Sequence, residues 1–157
     1  MKYKAVMILL MLSWVALPTL SDDEVPPVPE DVAAPPEEAE VSESGLAWVV
    51  LEEGEGERRP SVEDEVTVHY TGWQTDGERF DSSHERSEPA RFLLGDLIKG
   101  WVEGVAMMRE GEVRRLWIPG ELAYDEREDR PDAPRGMLVF EVELIEIHTD
   151  TEESSTD

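Results

Sequence analysis

The sequence predicts an α+β domain, an antiparallel sheet of five or six strands with one short helix packed on a face. Three observations predict it. From Leu46 onward apolar residues recur mostly at a period of two. Only one stretch, around Trp101, recurs at helical spacing, and residues with turn chemistry close the alternating runs.

Taken in chain order, the N-terminus reads as an export signal rather than as part of the fold. Met1-Lys2-Tyr3-Lys4 is a basic start, Ala5 to Leu17 is almost unbroken apolar sequence, and Thr19 and Ser21 are small residues suited to cleavage after Ser21. The run falls short of the about 20 apolar residues that a bilayer span needs. An uncleaved anchor is the alternative to a signal over 1–21, and only that form would meet a membrane. Residues 22–45 are rich in proline and acid, with Val25-Pro26-Pro27-Val28-Pro29 and Ala33-Ala34-Pro35-Pro36. Such a composition predicts an extended, disordered spacer. The tail 149–157 is polar and acidic as well, which leaves 46–148 for a single domain.

Within that domain, Leu46 to Leu51 is the first predicted strand, closed by Gly54-Glu55-Gly56. Val66, Val68 and Tyr70 alternate with Thr67, His69 and Thr71, the pattern of a half-buried strand that places His69 on the surface. Thr75-Asp76-Gly77 supplies a hairpin turn, and the chain returns through Arg79-Phe80-Asp81. Ala90 to Leu94 and Glu112 to Ile118 are further strands, the second stopped by Pro119-Gly120. In the last strand Leu138, Phe140, Val142 and Leu144 share one face, and Glu141 and Glu143 the other. Ile98, Trp101, Val102, Val105 and Met108 define the helix.

Charge and composition exclude several functions. Of 157 residues, 38 are acidic and 14 basic, a net charge of −24 that opposes nucleic-acid binding, which depends on cations meeting phosphates. No cysteine is present, so disulfides, thiolate chemistry and cysteine zinc sites are excluded. His69, His84 and His148 show no metal-ligand spacing. Asp81, Ser83 and His84 sit too close in one loop for triad geometry, and neither a Gly-x-Ser-x-Gly elbow nor a phosphate-binding glycine loop occurs.

What remains is aromatic. Tyr70, Phe80, Phe92, Trp101, Tyr124 and Phe140 come from different segments, each at an inward position or in an adjacent loop. From periodicity alone they are the core of a small domain, where burying one large aromatic contributes roughly 4–6 kcal/mol by area.

Their sequence context says more. Val66-Thr-Val-His-Tyr-Thr-Gly72, Asp76-Gly77, Phe80-Asp-Ser-Ser83, Arg91-Phe92 and Ile98-Lys-Gly-Trp-Val-Glu-Gly104 follow one another. Then come Met108-Arg-Glu-Gly-Glu112, Leu116-Trp-Ile-Pro119, Leu122-Ala-Tyr124 and Leu138-Val-Phe-Glu-Val-Glu-Leu144. This ordered set, about a hundred residues long, resembles the FKBP-type peptidyl-prolyl cis-trans isomerases. The resemblance implies a strongly twisted sheet wrapped around the helix, with a hydrophobic pocket between them. It implies isomerisation of Xaa-Pro bonds in proline-containing polypeptides, assistance to the folding of exported proteins, and a site able to take macrolides such as tacrolimus or rapamycin. No cofactor and no metal are called for. The signal and spacer fit a periplasmic or secreted protein, a monomer is expected, and a proline-peptide-binding module or holdase with weak isomerase activity is the alternative function.

Matched motif by motif, the resemblance assigns the catalytic pocket to Tyr70, Phe80, Asp81, Ile98, Trp101, Tyr124 and Phe140, with Trp101 as its floor. Leu97, Arg86, Phe92 and Ala90 would border the substrate. The backbone N–H of Ile98 and the hydroxyl of Tyr124 would hold substrate carbonyls, and Arg86 would pair with Asp81. Asp81 would either orient its loop through Arg86 or help electrostatically. Ala90 replaces an aromatic found in some members, which predicts a wider pocket there. Two departures stand out. The loop Gly95-Asp96-Leu97-Ile98 is shorter than the common form, and the flap from Asp125 to Gly136 carries Glu126, Arg127, Glu128, Asp129 and Arg130, with Asp132-Ala133-Pro134 in place of an apolar triplet. The charged flap predicts weaker macrolide binding and altered substrate preference.

Overall fold

The computed structural model describes residues 24–150. Seven strands form one antiparallel sheet: β1 (Glu40–Val41), β2 (Ala47–Glu52), β3 (Glu65–Gln74), β4 (Arg79–Ser82), β5 (Ala90–Leu93), β6 (Val113–Ile118) and β7 (Leu138–His148). The single α-helix among the described residues, α1, spans Lys99–Ala106. The sheet order is β1-β2-β6-β7-β3-β4, with β5 also on β3. Central β3 pairs with β7 along its whole length, while β5 and β4 share its other edge, opposite Glu65–Val68 and Thr71–Trp73 respectively. The tight turn between β3 and β4 depends on Gly77, whose φ of 90° is costly for any residue with a Cβ. The α+β architecture is as the periodicity predicted, with β1 as the strand it did not foresee.

Two apolar clusters lie on opposite faces of this sheet. On the front, Val66, Val68 and Tyr70 from β3, Leu116 and Ile118 from β6, and Leu138, Phe140, Val142 and Leu144 from β7 pack with Trp101 and Val105 of α1. Period-two alternation puts these residues on one side, and the amphipathic helix covers them. The helix lies close because it presents glycines to β6. A Cβ on Gly100 would come within 2.4 Å of Ile118 Cγ2, and one on Gly104 within 2.9 Å of Leu116 Cδ1.

The back cluster holds Val32, Ala47, Trp73, Trp117 and Val139. Here part of the disordered spacer expected over 22–45, residues 29–41, is instead packed and hydrogen-bonded. Val32 is buried, the Asp31 carboxylate accepts from Arg115 Nη1 at 2.9 Å, and Trp117 Nε1 donates to the Asp31 carbonyl at 3.0 Å. Turns close from Val32 N–H to Pro29 and from Ala39 N–H to Pro36, and β1 then pairs with β2. Composition averages over the segment, whereas two tryptophans on the sheet's back need a cover, and one valine with a few polar groups provides it. The signal over 1–21 and most of the tail over 149–157 lie outside the described residues.

Candidate functional site

Between the front face, α1 and the loop after Pro119 lies an open pocket of about 170 Å³ lined by Tyr70, Phe80, Asp81, Phe92, Leu97, Ile98, Trp101, Tyr124, Arg130 and Phe140. Its aromatic walls meet edge to face. Trp101 lies 5.3 Å from Tyr70 at 85° and 5.5 Å from Phe140 at 88°, and Phe80 stands 5.5 Å from Phe140 at 89°. These perpendicular contacts set positive ring edges against negative faces. They also keep the rings from filling the space between them, so a cavity survives inside an aromatic cluster. Gly72, on the front of β3, makes room for two of the walls: a Cβ there would sit 2.7 Å from Phe80 Cζ and 2.8 Å from Phe140 Cε1.

The polar edge of the pocket is a three-residue network. The Tyr70 hydroxyl donates to Asp81 Oδ2 at 2.5 Å, Arg86 Nη1 reaches Asp81 Oδ1 at 3.1 Å, and Arg86 Nη2 donates to the Tyr70 oxygen at 3.0 Å. Burial, with the Asp81 carboxylate beside it, pushes the Tyr70 hydroxyl up to about 12, so it remains a neutral donor. Asp81 itself is not buried, its side chain being 40% exposed. Ser83 anchors the following turn: its hydroxyl accepts the Tyr70 N–H at 2.9 Å and lies 2.8 Å from His69 Nδ1. His69 is therefore half-buried rather than a surface residue, and its ring stacks on His84 at 4.3 Å. At the start of α1, Leu97 N–H donates to Leu94, while nothing among the described residues accepts the Ile98 N–H.

Nine of the sequence-predicted residues thus converge on one pocket. Arg86 stands outside the lining and acts on it through Asp81 and Tyr70. Ala90 is the exception. It pairs with Val68 across β5 and β3 and packs on the core, but its methyl does not reach the pocket, which Phe92 borders from the same strand face. Arg130 went unforeseen among the lining residues, because a loop has no period to reveal which of its charges turns inward. Its guanidinium carbon lies 5.8 Å from the centre of the Tyr124 ring.

A family model described as FKBP-type peptidyl-prolyl cis-trans isomerase matches residues 56–145. The chain belongs to this family. Its FKBP-type domain is 49% identical over 107 residues to the FKBP-type 22 kDa peptidyl-prolyl cis-trans isomerase of Escherichia coli, covering 68% of this chain and 52% of that protein. It is 44% identical over 101 residues to the FK506-binding protein of Neisseria meningitidis, covering 62% of this chain and 92% of the relative. The crystal structure of FkpA from Escherichia coli superposes with a TM-score of 0.66 at 38% identity, over 72% of this chain and 53% of that one. The chain spans 39% to 60% of the length of several other curated relatives, including FkpA of Aeromonas hydrophila and the macrophage infectivity potentiator of Trypanosoma cruzi.

In this FKBP-type domain the flap is pinned, although its apolar content is low. Asp125 Oδ1 accepts the Gly136 N–H at 2.7 Å, clasping the two ends of the flap. Arg127 donates to Asp129 from Nε and Nη2, at 2.8 and 2.9 Å, which holds the Asp129 carboxyl down to about 2. Arg135 donates to the carbonyls of Tyr124 and Arg130, and Lys99 on α1 reaches Glu126 at 3.4 Å.

Proposed function

We propose that this domain isomerises Xaa-Pro bonds in polypeptides by drawing the proline ring into the aromatic pocket. The observation that carries the reading is a cavity walled by Phe80, Trp101 and Phe140 with a backbone donor at its edge, Ile98 N–H, that has no acceptor among the described residues. Rotation about the bond meets a barrier of roughly 18–20 kcal/mol because amide resonance is lost in the twisted state. Twisting also reduces charge separation across the C–N bond, so a dry apolar site favours the transition state over the planar ground state. Lowering the barrier by about 5 kcal/mol accelerates the reaction several thousandfold. No proton moves and no covalent intermediate forms, which suits a pocket whose phenol, Tyr70, stays protonated at neutral pH.

Each side chain then has a part. Trp101 is the floor against which the proline ring lies, and Phe80, Phe140 and Phe92 are its walls. Ile98 N–H and the Tyr124 hydroxyl hold substrate carbonyls, and Leu97 flanks them. Asp81, with both carboxylate oxygens committed to Tyr70 and Arg86, holds the β4 end against the pocket more than it acts on substrate. The same cavity would take tacrolimus or rapamycin, with affinity reduced by the flap's charge. The basic start and apolar run of Met1 to Leu17 support export to the periplasm or beyond, with clients that fold there, and we take the domain to act as a monomer.

Arg130 at the pocket favours a second reading, a proline-peptide-binding module or holdase with weak turnover. Refolding of a protein limited by proline isomerisation separates the two. The isomerase shortens the slow phase at substoichiometric amounts and loses that effect in a Trp101→Leu variant. A holdase suppresses client aggregation equally with and without Trp101 and leaves the slow phase unchanged.

A further inference from the structure

Two charged side chains line the pocket, and they differ in how far they are committed. Asp81 is spent, with one oxygen on the Tyr70 hydroxyl and the other on Arg86. Arg130 is not. Its guanidinium lies over the Tyr124 ring, and among the described residues no carboxylate is within ion-pair distance of it, although its charge helps to hold the Asp129 carboxyl down. The flap's nearby acids have hydrogen-bond or ion-pair partners elsewhere: Asp125 on the Gly136 N–H, Glu126 on Lys99, and Asp129 on Nε and Nη2 of Arg127. Glu128 and Asp132 are exposed and do not line the pocket. The uncommitted charge at the site is therefore positive, in a chain whose net charge is −24.

Resting on the isomerase reading above, we propose that Arg130 is a specificity residue that selects substrates with an acidic side chain next to the proline. A guanidinium stacked on an aromatic ring keeps its N–H edge directed outward, ready for a carboxylate, and arginine binds carboxylates through paired hydrogen bonds. The Tyr124 ring lies under that guanidinium, so the exposed cation has a favoured place at the pocket's edge. A lysine flanking the proline would meet the same charge and be repelled. The two effects together predict a preference of about three- to tenfold, the scale of exposed ion pairs taken as attraction plus repulsion.

The test uses the full chain and two series of tetrapeptides, with glutamate, leucine or lysine placed before the proline in one and after it in the other. The quantity read is the ratio of kcat/KM for the glutamate peptide to that for the lysine peptide, because a general loss of activity cancels from it. Arg130→Gln lowers this ratio about three- to tenfold in one of the series, Arg130→Glu lowers it further, and added salt shrinks the difference. Glu128→Gln, a change of charge on the same flap away from the pocket, leaves it in place. The proposal is overturned if both Arg130 variants keep the wild-type ratio in both series, or if Glu128→Gln moves the ratio as much. Should the wild-type chain turn over no peptide, the isomerase reading fails. The same ratio is then taken from peptide affinities measured by NMR, where dependence on Arg130 sustains the selectivity and independence overturns it.

Discussion

The front and back of the sheet are built from similar residues to opposite ends. Both are rich in aromatic side chains, Trp101, Phe140, Tyr70 and Phe80 on one face, Trp73 and Trp117 on the other. On the back, residues 29–41 lie over the tryptophans, Val32 is buried among them, and Asp31 takes up both Arg115 and the Trp117 indole. On the front, rings meet edge to face, Gly72 withholds a side chain, and a hole is left where the cover is thinnest. A filled face contributes stability and an unfilled one gives up some of it to keep a place for proline.

The division can be broken one face at a time. The largest loss should come from Trp117→Ala, which empties the middle of the back cluster and lowers stability by about 3–5 kcal/mol in chemical denaturation, yet keeps the wild-type kcat/KM while folded. Gly72→Ala attacks the front. Its Cβ collides with Phe80 and Phe140, which should cost about 1–3 kcal/mol and reduce kcat/KM more than tenfold, out of proportion to the stability lost. Comparable activity losses in both variants would erase the distinction between the faces.

That contrast also marks what the sequence could disclose. Front-face positions follow from alternation in β3 and β7 and from the ordered motifs, so nine pocket residues could be named without coordinates. The back could not be read the same way. Val139 and Trp73 follow the same alternation, but the sequence offers no sign that Val32, in a proline-rich acidic stretch, would cover them. Arg130 escaped for a related reason, since a loop side chain's direction is set by contacts such as the one with the Tyr124 ring rather than by spacing. Ala90, expected to border the substrate, lies on the β5 side of the core outside the pocket lining.

Smaller effects sharpen the comparison. Val32→Ala should lower stability by about 1 kcal/mol, and Asp31→Ala by a similar amount through its pair with Arg115, with activity untouched in both. The smallest effect belongs to neither face. Asp64, at the edge where β3 begins, accepts the Ser61 N–H at 2.8 Å, which lowers its carboxyl below the ordinary 3.8. A depressed acid stabilises the fold above that ordinary value and loses its contribution as pH falls through the folded one. Denaturation midpoints of wild type and Asp64→Asn should therefore differ at neutral pH and draw together below about pH 4.

The central claim, that the apolar front pocket lowers the barrier to proline rotation, is tested most directly by NMR exchange between the cis and trans forms of a short Leu-Pro peptide. With a catalytic amount of the wild-type chain, exchange cross-peaks should appear that the bare peptide lacks. They should vanish when rapamycin fills the pocket, and fall sharply in Trp101→Leu. Exchange no faster than in the bare peptide, or acceleration that survives both rapamycin and the loss of Trp101, would contradict the account.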